Sequence, residues 1–179
     1  FSVVATGALN YVAKHPSNIL NWMINGETGE AVEHDLDGAT LTLEDSWTVS
    51  SFDDLTAIGK LFQNFSREGD EDLEGEWLIL SPDEDPAILY CYDNEATTIQ
   101  LSDLREALEE DENMTVESIE FHGIPAVEGT AQNPEKEDII DYKQICFIAN
   151  DKCYELVVYH GKDDAAERIA QKILDGLSF

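Results

Sequence analysis

Cationic residues are scarce in this sequence. Ten Lys and Arg stand against 39 Asp and Glu, giving a formal net charge of -29. A chain so charged repels nucleic acid and anionic membrane surfaces, which removes both from the partners to expect. Cysteine is scarce too. Cys91, Cys146 and Cys153 are odd in number and at no metal-like spacing, so they form neither a disulfide framework nor a zinc set. Cys146 and Cys153 flank a predicted hairpin turn at Asn150-Asp151, which places them diagonally on one face, a poor geometry for a bridge. Free, partly buried thiols are the expectation, and they leave the compartment unread. Long apolar runs are also missing, since no stretch approaches the roughly 20 residues of a membrane span.

Enzyme signatures are missing as well. There is no G-x-S-x-G elbow, no phosphate-binding Gly loop, no dinucleotide fingerprint and no H-E-x-x-H. His15, His34, His122 and His160 lie far apart. His122 and His160 each end a predicted strand beside a glycine, so they could meet at one sheet edge; ordinary edge histidines are the plainer reading. Carboxylates are so abundant that no catalytic pair stands out. The expectation is therefore no enzyme, with no catalytic residue, no cofactor and no metal site assigned.

What is present is a chain of 179 residues with 42% apolar side chains, enough for one domain with an ordinary core plus an extension. Acidity of this kind serves solubility, a basic protein partner, or weak divalent cations. A salt-adapted proteome is a further source of it, but the wealth of Ile and the excess of Lys over Arg point elsewhere. The chain begins at Phe1. Its apolar start, "FSVVATGAL", reads either as the stub behind a processed signal or anchor, or as the start of a packed helix.

Periodicity divides the chain. Val4, Ala5, Ala8, Leu9, Val12 and Ala13 repeat at helix spacing up to Pro16, and Ser17 opens a short second helix closed near Gly26. A polar, turn-rich linker follows, so residues 1–38 read as a helical extension with its linker and 39–179 as the main domain. Ala39, Leu41 and Leu43 alternate with threonines in a half-buried strand. "SFDDLTAIGKLFQNF" predicts a helix capped by Ser51, with Leu55, Ile58, Leu61, Phe62 and Phe65 on its apolar face. "WLIL" and "AILYCY" are strands on either side of "SPDEDP". "LSDLREALEED" is a helix capped by Ser102, burying Leu104, Ala107 and Leu108. "VESIEFHGIPAVEGTAQN" reads as two strands around a Gly-Ile-Pro interruption, and "IIDYKQICFIANDKCYELVVYHG" as a hairpin. The last helix carries Ala166, Ile169, Ala170, Ile173, Leu174 and Leu177 on one face, Asp163 and Asp164 at its start and Gly176 near its end. Hairpins joined in this order predict an α+β fold: an antiparallel sheet flanked by helices.

The stretch "GDEDLEGEWLIL" is the best metal motif in the chain. Asp70, Asp72, Glu74 and Gly75 fit positions 1, 3, 5 and 6 of a calcium loop. Position 12 is Ser81, where a bidentate Glu is needed, and "WLIL" reads as a strand where the exiting helix belongs. The stretch is therefore read as a solvated acidic turn. "SPDEDP" is read the same way. Glu109, Glu110, Asp111 and Glu112 stand at a helix C-terminus, the unfavourable end for anions, which suits a fraying helix or a basic partner.

Four of these pieces resemble the PsbP-like family, named for an extrinsic protein of photosystem II and found also in a Ran-binding nuclear import factor and in bacterial envelope proteins. They are "LEDSWTVSS", "LSDLREALEED", "IEFHGIPAVEG" and "CYELVVYHG" with the closing helix and "LSF". The resemblance covers about residues 39 to 179 and none of the N-terminal helices. It implies an α/β/α sandwich and a non-enzymatic binding or assembly module. No functional residue set of the family is matched, so none is carried over. The expected function is a non-catalytic module of a bacterial envelope or secreted protein, outside the cytoplasm, whose acidity meets a basic partner. The alternatives are an intracellular immunity or chaperone-type protein that masks one and, third, an enzyme.

Overall fold

Apolar runs that are buried on both sides set the large sheet. The computed structural model describes residues 29–55, 59–83, 85–96, 98–131, 141–160 and 165–179. The helices expected within residues 1–26 lie outside these. Ten strands are described: β1 (Ala31–Asp35), β2 (Thr40–Glu44), β3 (Thr48–Ser51), β4 (Leu73–Leu80), β5 (Pro86–Asp93), β6 (Met114–Phe121), β7 (Ile124–Ala131), β8 (Asp141–Ala149), β9 (Lys152–His160) and β10 (Leu177–Ser178). Seven of them form an antiparallel sheet in the order β3-β4-β5-β9-β8-β7-β6, and β1-β2-β10 form a second, small one. The fold is α+β with an antiparallel sheet, as expected.

Each face of the large sheet has its own cover. On one side Trp77, Ile79, Leu89, Ile145, Phe147, Tyr154, Leu156 and Val158 pack with helix α2 (Ala165–Gly176) and the small sheet. On the other, Leu78, Ile88, Tyr90 and Val157 meet Phe52, Phe62 and Phe65 of two 3-10 segments, Phe52–Asp54 and Gly59–Phe65. Farther along that face Val127 and Cys146 meet Leu101, Leu104 and Leu108 of helix α1 (Leu101–Glu109). Cover on both sides explains why β5 is apolar residue after residue: Ala87 through Cys91 are all buried.

Several local readings shift. The helix expected over 51–65 is broken. Ser51 does cap, its hydroxyl accepting from the Asp53 N–H, but Leu55 is extended (φ -63, ψ 127) and ends the first segment. Helix α1 is closed by Asp103, whose carboxylate accepts from the Gln100 N–H, so Gln100 rather than Ser102 is its N-cap. Ala107 is exposed, and Leu101 takes its expected place in the apolar stripe. Residues 31–35, read as linker, form β1 and pair with β2 from Ala31↔Glu44 to Asp35↔Thr40. The interruption in the β6–β7 hairpin is only His122-Gly123, at φ 49 and 75, while Ile124 and Pro125 already belong to β7. Asn150-Asp151 form the expected turn, at φ 50 and 59. Two-residue loops with both φ positive match the right-handed twist of the strands they join.

Helix α2 buries Ala166, Ile169, Ala170, Ile173 and Leu174, as its periodicity predicts. Each large aliphatic side chain so removed from water contributes about 1.5–3 kcal/mol. Asp163 and Asp164 lie outside the described residues. Leu177 is buried too, but in β10, where it pairs with Leu41. Gly176 makes that exit possible: a Cβ there would stand 2.2 Å from the Thr42 carbonyl oxygen.

Candidate functional site: an acidic cleft beside the β4 bulge

The chain converges its carboxylates at the edge of the sheet where β4 begins. β4 pairs with β5 from Leu73↔Tyr92 onward, with a bulge between Leu73 and Gly75. The bulge bends the strand and turns Glu74 and Glu76 toward a cleft of about 460 Å³. The turn before it adds Glu68 and Asp70, the first 3-10 segment adds Asp53 and Asp54, and the end of β1 adds Asp35 with Asp37 just beyond. Phe52 and Trp77 supply apolar wall. Gly75 has no room for a side chain, because a Cβ would meet the Trp77 ring at 2.3 Å.

Two cations hold the cleft in shape. Lys152 binds Glu74 at 2.8 Å and the Asp37 carbonyl at 3.2 Å, tying β9 to both rims. The Glu74 hydrogen bond and neighbouring carboxylates raise the Lys152 ammonium above its ordinary value, although burial opposes them. Arg67 works from the other side. Its backbone N–H donates to Glu76 at 2.9 Å, beside the Ser66 hydroxyl on the same carboxylate. Its guanidinium leaves the cleft and lies across the sheet, donating to Glu155 at 2.5 and 2.9 Å and to the Tyr92 hydroxyl at 2.8 Å, over the Tyr90 ring at 3.8 Å. Burial alone would lower this guanidinium, but Glu155 and then Tyr92 outweigh it and raise it. Gln144 also donates to Glu155, and the Tyr90 hydroxyl donates to the Phe65 carbonyl at 2.8 Å. The acidic turn is thus riveted to the sheet at its base.

The residues weighed as calcium ligands are divided by this geometry. Asp70 and Glu74 reach the cleft; Asp72 is not among its lining, although its carbonyl accepts from the Asp93 N–H. Glu74 and Gly75 are already strand. Ser81 is buried at the far end of β4, and its hydroxyl accepts from the Asp85 N–H. No group of three or more His, Cys, Asp or Glu is set to hold a metal among the described residues. His122 is in the β6–β7 turn, while the backbone of His160 pairs with Asp141 at the opposite end of the strands. Cys91, Cys146 and Cys153 are free and buried. Cys146 stands opposite Glu155 and Cys153 opposite Ile148, the expected diagonal. Missed by sequence reasoning are Asp35, Asp37, Asp53 and Asp54, which reach the cleft from other segments, and Arg67, which anchors it.

A second, larger cleft of about 690 Å³ opens between the His122 turn and the α2–β10 exit. Its His122 and Lys172 are both engaged. The His122 ring lies 3.0 Å from the Asp175 carbonyl at the end of α2, and Lys172 binds Glu44 at 2.9 Å. Carboxylates do not converge there.

No protein-family model and no curated protein sequence matches the chain. Solved structures are similar to it in fold. The solution structure of cyanobacterial PsbP from Synechocystis matches 86% of this chain and 95% of its own, at 7% identity and a TM-score of 0.49. A crystal structure from Bacteroides thetaiotaomicron matches 84% of this chain and 48% of its own, at 14% identity and TM-score 0.47. A Pseudomonas aeruginosa protein of unknown function matches 84% of this chain and 98% of its own, at 12% identity and TM-score 0.41. The first of these belongs to the family that the sequence motifs resemble. At such identities and TM-scores none of the three bears on function.

Proposed function

We propose that this chain is a non-catalytic binding or assembly module whose acidic cleft receives a basic segment of a protein partner. One observation carries the reading: carboxylates from four separate segments face one cleft, and its cations serve to hold its rims. Repulsion among those carboxylates is relieved when a cationic segment enters, and the surrounding negative field speeds the encounter. We place the protein in the cell envelope or outside the cell, and fractionation of the native host tests that assignment directly.

The binding experiment uses a lysine-rich peptide as probe. Its affinity for the wild-type chain is compared with two charge reversals: Asp53→Lys with Asp70→Lys in the cleft, and Glu167→Lys with Asp175→Lys on α2. Each pair changes net charge equally. Loss of at least tenfold for the cleft pair alone supports the proposal. Equal loss for both pairs reduces it to a general effect of charge and removes the site.

A further inference from the structure

Among the described residues β6 ends the large sheet and pairs only with β7. It is the longest of the outer strands: eight residues, against five in β1, four in β3 and two in β10. Its register with β7 runs unbroken from Met114↔Ala131 to Phe121↔Ile124. Of the devices that blunt an edge, "MTVESIEF" carries only charge, in Glu117 and Glu120; it holds no Lys, no Pro, no Gly and no bulge.

The hairpin geometry says which backbone groups face outward. A two-residue loop closes with a hydrogen-bonded pair, here Phe121 and Ile124, and hydrogen-bonded pairs then alternate along the ladder. Val116, Ser118 and Glu120 therefore turn their N–H and C=O groups away from β7. Met114 does the same, but its N–H is used by the Asp111 carbonyl at 3.0 Å. Among the described residues no strand takes up the three others.

The side chains add a sign to this edge. Glu117 and Glu120 are exposed on opposite faces of the strand, and from Glu106 to Phe121 there is no cationic residue. The nearest cation, Arg105, is held by Glu109 at 2.9 Å and Ser118 at 2.6 Å. A second copy of so acidic an edge is disfavoured by charge, since both strands would bring Glu117 and Glu120 and no cation. A strand with two cations three residues apart matches Glu117 and Glu120 one to one, each cation on the correct face.

We propose that the free edge of β6 accepts a basic β-strand from a protein partner, with Val116, Ser118 and Glu120 supplying the backbone bonds and Glu117 and Glu120 the charge selection. This surface is separate from the acidic cleft, and its residues are untouched by the cleft variants. The test uses the full ¹⁵N-labelled chain with two extended peptides, one carrying Lys at two positions three apart and one carrying Glu there. Expected with the Lys peptide is at least tenfold slower exchange at the Val116, Ser118 and Glu120 amides, and no change with the Glu peptide. Glu117→Lys with Glu120→Lys should exchange the two preferences. Three outcomes overturn the proposal: unchanged exchange at those amides, perturbation confined to the cleft, or the same amides already slow without peptide in a sedimenting dimer, which would give the edge to a second copy.

Discussion

Arg67 and Glu155, 88 positions apart in sequence, meet as a two-pronged ion pair, with the guanidinium on both carboxylate oxygens. Glu155 is mostly buried, and about a third of the Arg67 side chain reaches water. Glu155→Gln removes the charge that compensates Arg67 and one of its strong acceptors. The expected cost is about 2–3 kcal/mol, somewhat below the roughly 3–5 kcal/mol for breaking a fully buried pair, because Arg67 is partly solvated. Urea titration measures it. A loss below half a kcal/mol would show that the pair is ornamental to stability.

The close approach at Gly176 predicts a second loss. In Gly176→Ala the new methyl group stands against the Thr42 carbonyl, a backbone atom with no rotamer to move away. Either α2 shifts or β10 unpairs from β2. Overpacking of this kind costs about 1–3 kcal/mol. Slower-than-solvent amide exchange at β2 in the wild type, lost in the variant, would locate the damage.

His34 gives the fold a pH response. Burial lowers its pKa from 6.5, and its Nε2 is buried without a hydrogen-bond partner. The folded state therefore favours the neutral ring. That contribution is complete above 6.5 and is lost as pH falls through the lowered folded value. Melting temperatures of the wild type and His34→Gln, taken between pH 7.5 and 5, should diverge, with the wild type falling faster. Parallel curves would refute the assignment.

The thiols should be inert in the native protein. Burial raises Cys91 and Cys146, and burial together with the Glu155 charge brings Cys153 to about 11. Thiolate is the reacting form, so a thiol reagent at pH 8 should label the native chain over 100-fold more slowly than the chain in urea. Rapid labelling of any one cysteine without denaturant would contradict the burial seen here.

Legibility in the sequence follows contact range. The β8–β9 hairpin and helix α2 were readable because their signals lie within a few residues: a turn pair at Asn150-Asp151 and apolar residues at helix spacing. β1 was not, since "AVEHD" has no strong alternation and becomes a strand only by pairing with β2. The helix expected over 51–65 failed at Leu55, whose extended backbone lets Phe52 and the later phenylalanines each meet the sheet. Three of the eight cleft carboxylates, Asp70, Glu74 and Glu76, were visible in the acidic run at residues 70–76. Its partners Asp35, Asp37, Asp53 and Asp54 are brought in by tertiary structure, as is the Arg67 anchor, and no local pattern announces either.

β2 has a consequence for how the chain folds. Its neighbours are β1, just before it, and β10, at Leu177-Ser178. The small sheet thus waits for almost the whole described chain to be in hand before its third strand can dock. Contacts of such long sequence separation close loops at high entropic cost and slow the rate-limiting step. During synthesis, Leu41 and Leu43 remain without that cover until α2 has emerged and turned back, a window in which a nascent chain of this design depends on its charge to stay apart from its neighbours.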